Sequence, residues 1–536
     1  MNAVGQLERA TQDRVIALFR DELGYRYLGD WTDRNGNSNI DDRLLSDWLN
    51  QNGHTAEQIN RALDILHREA DSHGRNLYGN NQVVYSLLRY GVPVKIEAGK
   101  VTETVHLINW VEPGKNDFAI AEEVTLKGNH ERRPDIVLYV NGIAIGVLEL
   151  KNSRVSIGDG VRQLLSNQQP EFNEWFFSTV QIVFAGNDSE GLQYGAIGTP
   201  EKYFLRWKED ETDNSRFKLD KYLLKICEKR RLIELMHDFV VFDGGVKKLP
   251  RVHQYFGIKA AQEHVRQRKG GIIWHTQGSG KSLTMVMFVR ALIEDPRIIN
   301  PRILIVTDRK DLDRQILGTF KNAGLKKKVK QASSGENLLE LIKSKDTSVI
   351  TTLIHKFQSA SRRRVDFVDE DQNIFVLIDE AHRSQHGDAN IEMNRTIPNA
   401  CYIAFTGTPL LKREQSQNKF GSFIDKYTID DALDDKIVLP LIYEGRYVDL
   451  HQDKNEIDRL VDRLTADLSD EQKKQLQKNI EKQIIKDNPK RIAEIAYDIE
   501  RHYTKRFQGY GLKAQIVAPS KFSAMLFQKF FKDSGR

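Results

Sequence analysis

Residues 270–284 read Gly-Gly-Ile-Ile-Trp-His-Thr-Gln-Gly-Ser-Gly-Lys-Ser-Leu-Thr, and they narrow the fold more than any other stretch of the 536 residues. An apolar run stops at His275, a glycine-rich turn follows, and Lys281 and Ser282 open a helical pattern running from Leu283 to Ile293. Strand, glycine-rich loop, Lys-Ser and helix is the order that phosphate binding requires. Successive backbone N–H groups wrap the phosphate, and the helix N-terminus adds partial positive charge. Lys281 can reach the β and γ oxygens, and the Ser282 hydroxyl suits Mg²⁺. Thr276, Gly278, Ser279, Gly280, Lys281 and Ser282 are the expected contacts to ATP. The strict pattern G-x-x-x-x-G-K-[ST] wants glycine where this chain has His275, while the core from Gly278 to Ser282 is intact. Taken alone, the stretch could also be a tight strand-to-helix turn with a chance lysine.

From about 247 to 440 helices alternate with apolar strands, expected at 271–274, 302–307, 348–352, 374–378 and 401–405. Near-continuous apolar strands of this kind belong to a parallel sheet buried on both faces. Asp379 and Glu380 follow one of them. A carboxylate there can hold Mg²⁺ through water, the role expected of Asp379, and a second can polarise the attacking water, the role expected of Glu380. Arg309 and Thr352 end two further strands on the same sheet edge, where they suit contacts to nucleic-acid phosphates. The basic runs 326–330 and 362–364 are read as solvated surface.

The first 245 residues follow another plan. An amphipathic helix over 3–22 and helices near 41–50, 55–71 and 78–92 precede short strands at 101–111, 117–126, 135–140 and 143–151. Asn141-Gly142 signals a two-residue hairpin turn. Asp135 opens one strand of that hairpin, and Glu149 and Lys151 end the other, sharing a face. A plain two-residue turn would set Leu148 opposite Asp135, so a one-residue shift, a bulge at Gly146, is expected to bring the carboxylates to one side. Two such carboxylates bind Mg²⁺ through oxygen and support phosphodiester hydrolysis, with Lys151 orienting water or offsetting charge. The alternative is an exposed hairpin with solvated edge charges, but its apolar neighbours Ile145, Val147, Leu148 and Leu150 argue for an internal strand.

Composition adds limits. A net charge of +5 permits nucleic-acid binding without demonstrating it. No apolar run approaches the ~20 residues of a membrane span. The two cysteines, Cys227 and Cys401, lie far apart and fit a cytoplasmic location rather than a zinc site or disulfide frame. The expected domains are 1–245, 246–440 and 441–536, with the charged stretch 453–505 helical and a last strand at 514–518.

The hairpin with Pro134-Asp135 and Glu149-Leu-Lys151 resembles the PD-(D/E)-x-K nuclease core. The following helix carries Gln163, as in the subgroup with a Q-x-x-x-Y motif, with Asn167 in place of the tyrosine. The downstream motifs resemble a superfamily 2 helicase-type motor. In such motors the position of Gln254 holds an adenine-reading glutamine, and the Thr406-Gly-Thr-Pro409 motif, with Thr406 and Thr408, links nucleotide state to DNA position.

Together, Thr276-Gln-Gly-Ser-Gly-Lys-Ser-Leu-Thr-Met285, Asp379-Glu-Ala-His-Arg-Ser-Gln385, Phe405-Thr-Gly-Thr-Pro409 and the hairpin resemble the restriction subunit of type I restriction-modification enzymes. The resemblance implies an α/β multidomain chain: a mixed-sheet nuclease core, a RecA-like parallel-sheet lobe, and the start of a second RecA-like lobe. It implies an ATP- and Mg²⁺-dependent enzyme that translocates double-stranded DNA and cleaves it away from the recognition site. It also implies partners, a methyltransferase subunit and a specificity subunit. The later Q-x-x-G-R-x-x-R motif with its arginine finger is not found, so the chain is expected to be an N-terminal fragment with little ATPase by itself. The competing readings are a superfamily 2 helicase or translocase whose N-terminal domain only binds nucleic acid, and a non-enzymatic assembly module.

Overall fold

The computed structural model describes residues 8–96, 101–128, 130–307, 310–321, 328–344, 348–361, 367–379, 388–408, 420–446 and 489–533. The chain divides into two compact units, Met1–Leu439 and Pro440–Arg536.

The first unit holds two seven-stranded sheets. Its opening helix, Glu8–Ala17, ends in a π-helical turn, Leu18–Glu22. The strands that follow are β1 (Arg26–Asp30), the short pair β2 (Val92–Val94) and β3 (Glu103–Val105), β4 (Phe118–Glu122), β5 (Ile136–Val140), β6 (Ile143–Leu150), β7 (Ile182–Asn187), β8 (Gly191–Gly195) and β9 (Leu205–Arg206). The first sheet runs β1-β4-β5-β6-β7-β8-β9 and is mixed: β4, β5 and β6 pair antiparallel, whereas β6 and β7 pair parallel. Of the strand expected over 101–111 only β3 forms. The rest is a loop, because Asn116 spends its side chain on the backbone of Asn109 and Pro113 instead of leaving those groups to a ladder.

Asn141 and Gly142 turn the β5–β6 hairpin with φ of 53° and 84°, the double left-handed geometry of a type I′ turn. A Cβ on Gly142 would lie 2.7 Å from the Leu45 backbone nitrogen and 2.9 Å from the Asp41 carbonyl oxygen. Gly142→Ala is therefore expected to destabilise the fold by about 2–4 kcal/mol, from backbone strain plus overpacking, measured as a lowered midpoint in urea.

After a linking hairpin of β10 (Val241–Asp243) and β11 (Val246–Lys248), the second sheet begins. Its strands are β12 (Gly271–His275), β13 (Arg302–Thr307), β14 (Val329–Gln331), β15 (Val349–Leu353), β16 (Ile374–Asp379), β17 (Cys401–Thr406) and β18 (Phe423–Tyr427). All pair parallel in the order β14-β15-β13-β16-β17-β12-β18, and β13, β15 and β16 are buried along their whole length. This is the doubly covered parallel sheet that continuous apolar runs dictate.

Within the first unit the two sheets are tied by buried polar contacts. Lys247 is fully buried, and its Nζ donates to Asn81 Oδ1 at 2.8 Å and Gln181 Oε1 at 2.7 Å. Burial holds its pKa well below the usual lysine range. Arg290 donates to the Val240 carbonyl, and Arg89 pairs with Glu294.

In the second unit, the helices Pro489–Arg506 and Lys521–Asp533 pack through Ile492, Ala496 and Phe527. Most of the charged stretch expected to be helical lies outside the described residues. The expected strand at 514–518 is not formed: no strand among the described residues pairs with it, and Val517 is 87% exposed. An apolar run without a neighbouring strand has nowhere to send its N–H and C=O groups, so it stays unpaired.

Candidate active sites

The β5–β6 pairing sets Ile136 opposite Leu148 and Val140 opposite Ile143, with one extra residue, Ile145, on β6. The expected shift is present, one residue from Gly146. It carries Asp135 opposite Glu149, and its effect is visible in the core. Val137, Tyr139, Ala144 and Val147 share one core with Ile157, Val161 and Leu164 of the helix Ile157–Asn167. Asp135, Glu149 and Lys151 continue that face beyond the apolar residues.

The helix supplies the lid of this pocket of carboxylates. A Cβ on Gly160 would sit 3.4 Å from Lys151 Cγ and 3.7 Å from Glu149 Cβ, so glycine lets the helix approach. One helical stripe further, Asn167 is fully buried and its Nδ2 donates to Glu149 Oε1 at 3.4 Å. Gln163 is half-buried between them on the same stripe. The departure from tyrosine at 167 thus leaves a hydrogen-bond donor against the carboxylate.

The opening helix closes the other side. Gln12 Nε2 donates to the Asp135 carbonyl at 3.2 Å, and Lys151 Nζ meets Glu8 Oε1 at 3.1 Å. Neither Glu8 nor Gln12 carried a sequence signal, because both reach the site across more than a hundred residues.

Electrostatics single out this corner. Asp135 Oδ2 accepts from the Leu150 N–H at 2.6 Å, yet burial pushes its pKa up to about 6. Glu149 is fully buried, and burial followed by the charge of Asp135 raises its pKa well above the carboxylate range. Its Oε2 is buried without a hydrogen-bonding partner. Burial works against the charge on Lys151, but Asp135, Glu149 and Glu8 outweigh it and hold the ammonium above its ordinary pKa. Two close carboxylates with an orphaned oxygen fit a divalent cation held by oxygen.

A raised folded-state pKa means that Asp135 costs stability once the pH exceeds its unfolded value, most fully above about 6. Asp135→Asn is thus expected to stabilise the metal-free chain at pH 7.5 by about 1–2 kcal/mol, allowing for partial exposure. The gain should vanish as the pH falls towards 4, read from thermal melts across that range.

On the second sheet, the loop after β12 is built as a phosphate cradle. Gly278 and Gly280 take φ of 87° and 91°, and the helix Lys281–Glu294 starts at Gly280. Thr276 is buried with its N–H on the Tyr427 carbonyl at 2.9 Å, and the fully buried Ser279 sends its N–H to the Thr276 carbonyl. Lys281 and Ser282 are half-buried in the first helical turn. Asp379 ends β16, Thr406 ends β17, and both are buried at the same C-terminal sheet edge as the cradle. Thr406 Oγ1 donates to the Thr408 carbonyl at 2.8 Å, folding this turn on itself. A Cβ on Gly407 would lie 3.1 Å from Lys281 Nζ and 3.3 Å from the Gln277 nitrogen, so this turn abuts the cradle.

Two expectations need correction. Thr352 is fully buried on β15, an interior strand between β14 and β13, and cannot touch nucleic acid in this structure. Gln254 is also buried, with its amide spent: Oε1 accepts from the Arg251 N–H, and Nε2 donates to the Gly280 carbonyl at 3.1 Å and to Thr284 Oγ1 at 3.2 Å. Here it braces the cradle rather than facing a base. Glu380 and Arg309 lie outside the described residues. Among the described residues no helix is long and apolar enough to cross a membrane.

Two families match parts of the chain. Residues 5–202 match the family described as type I restriction enzyme R protein N terminus, and residues 253–474 match the SWI2/SNF2 ATPase family. The putative type I restriction enzyme MjaIXP endonuclease subunit of Methanocaldococcus jannaschii is 28% identical over 495 residues, covering 84% of this chain and 47% of the relative. The type I restriction enzyme HindI endonuclease subunit of Haemophilus influenzae is 28% identical, covering 83% of this chain and 46% of its own length. The chain therefore spans about half the length of these curated relatives. Among solved structures, a nuclease-deletion mutant of the Type ISP restriction-modification enzyme LlaGI aligns with 54% of this chain and 30% of its own, at 15% identity and a TM-score of 0.30. By the sequence matches, the chain carries a region of the type I restriction enzyme R-protein N-terminal family followed by a region of the SWI2/SNF2 ATPase family, and along most of its length it is similar to proteins named type I restriction enzyme endonuclease subunits.

Proposed function

We propose that this chain is the cutting and ATP-binding part of a type I restriction subunit, in which ATP-driven movement along double-stranded DNA is coupled to Mg²⁺-dependent cleavage away from the recognition site. Residues 1–245 form the endonuclease domain, 246–440 the first motor lobe, and 441–536 the start of the second. The observation that carries the cutting half is the bulged pairing that sets Asp135 opposite Glu149, with an orphaned buried oxygen on Glu149 and Lys151 alongside.

Asp135 and Glu149 are the residues that would hold Mg²⁺. When bound, the ion supplies charge neutralisation and a more acidic water. Asn167 orients Glu149 through its amide, and the helix carrying Gly160 and Gln163 covers the pair. Lys151 stays protonated and offers its ammonium to the scissile phosphate or to the attacking water. In the motor lobe, Gly278 and Gly280 present backbone N–H groups to the nucleotide phosphates, Ser279 shapes the loop between them, and Lys281 neutralises the β and γ oxygens. Ser282 and Asp379 would hold the nucleotide's Mg²⁺, Glu380 would polarise water, and Thr406 and Thr408 would link the site to DNA. Recognition of the DNA target falls to a specificity subunit, and a methyltransferase subunit completes the assembly in the cytoplasm.

The test is nicking of supercoiled plasmid by the purified chain with Mg²⁺ or Mn²⁺. Nicking that disappears in Glu149→Gln supports the proposal. Nicking that persists undiminished in that variant removes the hairpin from the chemistry and leaves a motor with a nucleic-acid-binding domain.

A further inference from the structure

The one departure of the phosphate loop from the strict pattern is His275, and the surrounding structure is built to hold it. The ring is fully buried, and its Nε2 meets Asp425 Oδ2 on the neighbouring strand β18 at 2.6 Å. Nδ1 is buried without a hydrogen-bonding partner, so the Asp425 contact is what orients the ring. His253 packs edge-on at 5.1 Å from it, stacks on Tyr427 at 3.7 Å, and reaches the Ser279 carbonyl of the cradle with Nε2 at 3.1 Å.

Space for this arrangement comes from a glycine inside a helix. A Cβ on Gly257, in the helix Val252–Arg266, would lie 3.0 Å from Asp425 Oδ2 and 3.1 Å from His275 Nε2. Alanine is the better helix former at an interior position, so local preference does not explain the glycine. The imidazole–carboxylate pair does.

The backbone of the same residue faces the nucleotide site. Lys281 Nζ donates to the His275 carbonyl at 3.4 Å, while Gly407 closes over the ammonium from the next strand end. The ring is anchored on β18 by Asp425 and the backbone by its pairing with Tyr427, and together they hold the carbonyl that Lys281 meets. We propose that His275 is a positioning residue of the nucleotide site: clamped by Asp425, it presents the carbonyl that holds Lys281 ready for a β–γ phosphate. This rests on the reading of the loop as an ATP site.

The inference makes an outcome that opposes the motif. His275→Gly restores the strict pattern, yet it should weaken binding of a fluorescent N-methylanthraniloyl-ATP with Mg²⁺ by about tenfold. Asp425→Asn, at a side chain that is part-exposed and keeps its shape, should lose a similar factor. The double variant should lose no more than either alone, because both act through one contact. His275→Gln, whose amide can still donate to Asp425, should recover most of the affinity. Gly257→Ala should weaken binding even though it favours the helix.

His275→Gly or Asp425→Asn binding as tightly as the unaltered chain would overturn the inference while leaving the ATP site standing, provided Lys281→Ala still loses binding. Undiminished binding in Lys281→Ala would instead remove the nucleotide site, and this inference with it. Additive losses in the double variant would also overturn it, since His275 and Asp425 would then act separately.

Discussion

Asp135→Ala is expected to abolish DNA cleavage, a loss of roughly 1,000-fold or more, with the fold intact. The substitution takes away one of two facing carboxylates and leaves Glu149 as a fully buried acid with an orphaned oxygen. A buried acid without its partner or a cation takes up a proton rather than hold a charge. The second readout is therefore divalent-cation binding to the chain by calorimetry, which should disappear in Asp135→Ala and in Glu149→Ala alike. In the unaltered chain, binding should weaken as the pH falls, because Asp135 and Glu149, both raised by burial, must give up their protons to accept the ion. Cleavage within tenfold of the unaltered chain in Asp135→Ala would end the case for this centre.

Lys281→Ala should weaken nucleotide binding by about 100-fold, because it removes the one full positive charge that the first helical turn brings to the cradle. The backbone donors and the helix N-terminus remain, so weak binding should persist, and the residual should be most sensitive to salt. The contrast with Ser282→Ala is informative. That variant keeps the charge and should lose affinity chiefly when Mg²⁺ is present. Equal losses with and without Mg²⁺ would show that Ser282 acts on the phosphates directly.

How far the sites could be read beforehand follows from the range of each interaction. The hairpin was legible because its parts are local: Asn141-Gly142 forces a two-residue turn, and the count from Asp135 to Glu149 requires one extra residue. The parallel sheet was legible because each strand is an unbroken apolar run. The partner of His275 was not, since Asp425 lies 150 residues away on a strand with no motif of its own. Thr352 was misread because a hydroxyl near a strand end looks the same in sequence whether the strand is central or at an edge. Gln254 was expected to face a base, but burial at the start of its helix directs its amide to the carbonyls of the cradle. The stretch 514–518 has the composition of a strand but, among the described residues, no neighbour to make it one.

The extra residue at Ile145 makes the proposed cutting centre a matter of parity. Side chains alternate faces along a strand, so the same residues paired as a plain hairpin, without the bulge, would turn Glu149 to the face away from Asp135. Composition, hydropathy and every motif letter are the same in both pairings. Losing the extra residue would straighten β6 and keep Asp135 opposite Glu149, whereas gaining one more between the turn and Glu149 would part the carboxylates unless a second bulge absorbed it.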